Sequence, residues 1–119
     1  MRIRRFIAVA GTALALVPGA ALGHAALVKS APARHAVLAH PPLRVELWFS
    51  ERLEAAYAMV AVQNADGTPV DTGRAIVGSD PKLLVVPVPR LGPGTYTVRF
   101  RVLSVDGHVV DSSFPFSVR

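Results

Sequence analysis

The chain has 119 residues, with thirteen Lys and Arg against eight Asp and Glu, and 51% of its side chains are hydrophobic. That length suits one small domain. The absence of cysteine excludes a disulfide scaffold and any thiolate metal site, and no segment clusters Lys and Arg in the manner of a nucleic-acid footprint.

The chain opens MRIRRFIAVAGTALALVPGAALGHAALV. Arg2, Arg4 and Arg5 precede an apolar run from Phe6 to Val17, and small residues follow, with Ala21 and Gly23 in an A-x-G arrangement. This is the pattern of a secretory signal peptide, and the run is too short to favour a spanning helix. The competing reading is an uncleaved anchor. Cleavage after Gly23 divides the chain into a leader, 1–23, and a mature domain, 24–119, that begins at His24. Cleavage after Ala25 satisfies the same small-residue rule and would remove His24. Removing the three leader arginines leaves ten basic against eight acidic side chains, so the sequence pI near 10.8 belongs to the precursor. An exported domain of this size without disulfides relies on its hydrophobic core alone. No later apolar run reaches the ~18 residues of a membrane span.

The mature part reads as strands. LRVELWFS (43–50) alternates Leu43, Val45, Leu47 and Phe49 against Arg44, Glu46, Trp48 and Ser50, the period of a half-buried strand. SERLEAAYAM (50–59) suits at most a helical turn. YAMVAVQNADG (57–67) is a strand running into an Asp66-Gly67 turn. KLLVVPVP (82–89) is apolar, but Pro87 and Pro89 predict an edge or irregular strand. TYTVRFRVLS (95–104) sets Tyr96, Val98, Phe100 and Val102 on one face, and SSFPFSVR (112–119) does the same with Phe114, Phe116 and Val118. Pro and Gly fill the connections. Short strands at this spacing predict an all-β, immunoglobulin-like antiparallel β-sandwich with Greek-key connections. In LGPGTYTV a turn delivers Tyr96 to a core strand, where its hydroxyl can bond nearby backbone.

The mature domain holds four histidines: His24, His35, His40 and His108. As a first residue, His24 offers an α-amine and a ring Nδ1, which together close a chelate ring on a metal. The amine, with an ordinary pKa near ~7.7–8.0, gives up its proton to a metal at neutral pH. Amine and imidazole nitrogens with a carboxylate oxygen suit tetragonal Cu(II). Asp106-Gly107-His108 supplies a carboxylate and an imidazole two residues apart, and a first strand starting at His24 could lie beside this turn. From the residues alone, the stretch is either a hairpin tip with a solvated His108 or half of a copper site. His35 and His40 read as solvated loop histidines. Trp48 either covers the metal face or packs on the second sheet.

Three stretches resemble one family. HAALVKSAPA is similar to the mature start of the CopC family of periplasmic copper-binding proteins, VELWFSERLE resembles its strand with an F-S-E signature, and PGTYTVRFRVLSVDGHVVDSSFPFSV resembles its closing hairpin with an S-x-D-G-H core. The match runs in order across the mature chain. The resemblance implies an immunoglobulin-like sandwich in the periplasm that binds one Cu(II) per chain. It implies His24 (amine and ring), Asp106 and His108 as ligands, with Glu51, at the F-S-E glutamate, near the metal or weakly bound. It also implies an inner-membrane copper transporter of the CopD kind as partner. Two features depart from the family. Some members carry a methionine-rich Cu(I) site, whereas this mature domain has only Met59, so no Cu(I) site is expected. DSSF also stands where a glycine near Ser112 is more usual.

The function expected is therefore non-enzymatic: carrying, buffering or sequestering copper. One rival is a structural or adhesive sandwich with no metal. Another is a small oxidative enzyme, since an N-terminal histidine also builds the copper brace of polysaccharide-cleaving enzymes. One Trp and two Tyr leave little aromatic area for a polymer, and Asp106 would occupy a coordination position that such chemistry needs open.

Overall fold

A computed structural model describes residues 26–71 and 74–119. Among the described residues eight strands make two sheets: β1 (Leu27–Ala31), β2 (Val37–Leu38), β3 (Arg44–Phe49), β4 (Met59–Gln63), β5 (Ile76–Val77), β6 (Leu83–Pro87), β7 (Gly94–Leu103) and β8 (Val109–Val118). The first sheet runs β1-β3-β6-β5 and the second β2-β8-β7-β4. The chain changes sheet between most successive strands, which gives the sandwich its Greek-key character. One pairing departs from the antiparallel rule: β2 runs parallel to β8. The only helical element among the described residues is a 3-10 turn, Ala55–Tyr57, inside the stretch expected to turn. None of them forms a helix long and apolar enough to cross a membrane.

The period-two alternation decides which face of each strand is buried. Val45, Leu47 and Phe49 of β3 point inward, as do Leu84 and Val86 of β6. They meet Val98, Phe100, Val102, Phe114 and Phe116 from the facing sheet. Phe49 and Phe100 pack edge to face across the sandwich, 5.5 Å between centroids. Tyr96 stacks on Phe116, and its hydroxyl donates to the Gly92 carbonyl at 2.7 Å, as LGPGTYTV predicts. Trp48 lies on the outer face of the first sheet, where Lys29 Nζ sits 4.7 Å from its ring centre. It does not pack on the second sheet.

Pro87 does not make β6 an edge. β6 pairs with β3 on one side and β5 on the other. The Lys82 carbonyl and the Val88 N–H both bond β3 backbone or its flank. Side alternation along a strand then turns the Pro87 nitrogen away from β3, and β5 ends opposite Val85 before reaching it. The missing donor therefore costs no ladder bond.

Candidate metal centre

The chain LSVDGHVV closes the β7–β8 hairpin, whose strands pair from Gly94↔Val118 to Leu103↔Val109. Ser104 N–H donates to the His108 carbonyl and Gly107 N–H to the Ser104 carbonyl, both at 2.9 Å. Gly107 has φ +94°, a left-handed value that glycine adopts without Cβ strain. The bend brings Asp106 and His108 together: His108 Nδ1 lies 3.0 Å from Asp106 Oδ1. Their side chains are 36% and 47% exposed respectively, so neither is buried in the core.

Ser104, not singled out in the sequence, organises this pair. It is the one buried polar residue among those described, 1% exposed. Its hydroxyl donates to Asp106 Oδ1 and accepts the backbone N–H of His108 at 3.2 Å. A donating hydroxyl favours the ionised carboxylate. The Ser104 hydrogen bond first, and the His108 contact second, hold the Asp106 carboxyl below its ordinary value. The signal was present in the sequence as S-x-D-x-H, since Ser side chains bond local backbone at turns.

A short strap ties the turn to the start of the described chain. Ala26 N–H donates to Ser50 Oγ and Ser50 N–H to the Ala26 carbonyl, both 2.8 Å. Val105 N–H donates to the Arg52 carbonyl at 2.9 Å, and Leu53 bridges Ser104. Residues 50–53 thus touch Ala26 at one end and the hairpin tip at the other. The first strand does not lie beside the hairpin: β1 pairs with β3 in the opposite sheet, and the strap supplies the proximity.

His24 lies outside the described residues. Glu51 is half-buried within the strap. Among the described residues no three His, Asp or Glu gather closely enough to hold a metal, so Glu51 does not join Asp106 and His108 in such a cluster. His35 and His40 are both exposed. His35 adopts φ +63° and donates its N–H to the Pro115 carbonyl. The donors that Asp106 and His108 present, one carboxylate oxygen and one ring nitrogen, are of the kind that suits Cu(II) and leave a site to be completed.

The family model for the CopC domain matches residues 27–119. The chain belongs to the CopC family. Among relatives in this family, copper resistance protein C of Pseudomonas syringae pv. tomato is 35% identical over 111 residues, covering 87% of both chains. Copper transport protein CutJ of Bacillus subtilis is 31% identical over 107 residues, 88% of this chain. The chain spans only a fifth of the length of CutJ, 20%. The crystal structure of CopC from Methylosinus trichosporium OB3b superposes with a TM-score of 0.71 at 34% identity, covering 80% of this chain and 93% of that one. The CopC fold and the S-x-D-G-H hairpin therefore occur together, as the sequence resemblance implied.

Proposed function

We propose that the mature domain, 24–119, is a periplasmic Cu(II)-binding protein that carries, buffers or sequesters one copper ion. The leader, 1–23, is removed after Gly23. The His24 amine and ring Nδ1 then join Asp106 and His108 as ligands, while Glu51, which among the described residues does not gather with that pair, is only an outer neighbour of the site. The chain holds and releases copper and catalyses no reaction on it. A membrane copper transporter of the CopD kind receives or supplies the ion. With Met59 the sole mature methionine, the site takes Cu(II) and no thioether site takes Cu(I).

The observation that carries this reading is the joined pair Asp106–His108 with the strap that brings Ala26 to the same end of the sandwich. His24 precedes Ala26 by two residues, a span of at most about 7 Å. Ser50, Arg52 and Val105 form a continuous backbone-bonded path from Ala26 to the turn. The names of the relatives, copper resistance protein C and a copper transport protein, support copper as the cargo. The test is Cu(II) titration of the domain beginning at His24, followed by electron paramagnetic resonance. Nitrogen-rich tetragonal copper that is lost in His24→Ala and in His108→Ala supports the reading; no tight binding by the unmodified domain sinks it.

A further inference from the structure

We propose that the outer face of the second sheet, along β4 and β7, is a docking groove for an extended acidic segment of a partner protein. A carboxylate of that segment lies against Arg99, and an apolar side chain two residues away enters the hollow beside Tyr57. Strand alternation builds this face. Val98, Phe100 and Val102 turn into the core, so Arg99, Arg101 and Leu103 stand on the other side. The register places Arg101 between Met59 and Asp111, and Arg99 between Ala61 and Ser113. Arg101 is occupied, since it donates to Asp111 at 3.1 Å. Arg99 is exposed and has no ion pair among the described residues. Its two cross-strand neighbours are small, so neither reaches over its guanidinium. A hollow of about 270 Å³ opens here, with Met59, Ala61 and Arg99 in its wall.

A second hollow, about 230 Å³, adjoins the first and shares Met59 and Arg101 with it. Tyr57, Leu103 and Val109 line it. Tyr57 and Met59 are each 63% exposed and Val109 is 54% exposed, so exposed apolar side chains gather around one hollow instead of being scattered singly. The two hollows follow rows of β7 two residues apart, about 7 Å. An extended peptide repeats the side chains of one face at the same spacing, and alternate pockets read them. The Arg101–Asp111 pair cancels, which leaves Arg99 as the uncompensated charge of the groove, and a carboxylate matches a guanidinium in bidentate geometry. Shape favours a peptide over a lipid surface, because a bilayer reaches projecting side chains and these line hollows. Leu103 pairs with Val109 at the base of the turn that carries Asp106 and His108, so a segment seated here lies beside the candidate metal centre. The inference goes beyond the copper reading and does not rest on it, because docking is measured without metal.

The probe is a synthetic peptide of Glu-Thr-Leu-Thr repeats, which sets Glu and Leu on one face; its control has Lys in place of Glu. Proton–nitrogen correlation spectra of the metal-free protein follow each titration. The acidic peptide should shift the amides of Met59, Ala61, Arg99, Arg101 and Leu103, with an affinity that falls as salt is added. Arg99→Glu should weaken binding by about 10-fold or more, the loss of one charge-assisted contact. Met59→Ser should weaken it as well, and both variants should keep the dispersed spectrum of the folded domain. Equal binding of the Lys peptide, shifts confined to another face, or unchanged affinity in Arg99→Glu overturns the proposal. No binding of the acidic peptide overturns it too. Co-sedimentation of the protein with phosphatidylglycerol vesicles, abolished by Arg99→Glu while the acidic peptide leaves the spectrum unmoved, would overturn it by assigning the face to a lipid surface.

Discussion

Asp106 and His108 meet at 3.0 Å across a single glycine, on a hairpin tip that a backbone strap connects to Ala26. The pair is assembled by the turn itself, not by the period-two rule of a strand. Gly107 supplies the bend with φ +94°, and Ser104 supplies the hydrogen bonds that hold its two sides.

Gly107→Ala tests the bend. A Cβ at this position meets nothing within 4 Å, so its effect is conformational rather than steric crowding. Left-handed backbone costs a residue with Cβ about 1–2 kcal/mol. Chemical denaturation should show a loss of that order with an unchanged slope, together with weaker Cu(II) binding. Wild-type stability would show that the turn tolerates another conformation.

The core carries the stability of a domain without disulfides. Phe100 is 3% exposed and packs edge to face on Phe49. Phe100→Ala should cost about 3–5 kcal/mol, a large part of a small domain's total. Tyr96→Phe removes only the hydroxyl bond to Gly92 and should cost about 0.5–1.5 kcal/mol. Thermal unfolding of the two variants checks the ranking.

Acid should act on copper through nitrogen first. Asp106 has a folded carboxyl value below its ordinary one, through Ser104 and then His108. Its hydrogen bonds therefore favour the folded state above the unfolded carboxyl value near ~3.9. That contribution fades only as pH falls through the lower folded value. Imidazole and amine nitrogens as classes take up protons near ~6.5 and ~7.7–8.0. Copper affinity should fall steeply below about pH 6, as protons displace metal. Asp106→Asn should weaken binding and leave that midpoint in place. An affinity flat down to about pH 4 would contradict nitrogen ligation.

Much of the fold was legible because alternation survives wherever one face is buried. Val45-Leu47-Phe49 and Tyr96-Val98-Phe100-Val102 fall inward as their spacing predicts. β2 and β5 have two residues each, too few to show any period. Pro87 suggested an edge because the sequence does not reveal which side of the strand its nitrogen faces; it faces past the end of β5. The Asp106–His108 pair was legible from D-x-H around a glycine. The partner of β1 was not, since pairing across 15 to 22 residues depends on the whole sandwich, and β1 joined β3 rather than the hairpin. Ser104 was overlooked because a serine before a turn looks ordinary until its hydroxyl is seen buried between a carboxylate and an imidazole.

The central claim is that the free amine of His24 completes the site begun by Asp106 and His108. Its most direct test is a Cu(II) titration, read by electron paramagnetic resonance, of the domain beginning at His24 against the same domain with one extra glycine ahead of it. The added residue keeps every side chain and moves the free amine away from the His24 ring. The account predicts tight tetragonal copper in the first protein and a loss of affinity with a changed signal in the second. Identical affinity and spectra in both would contradict it.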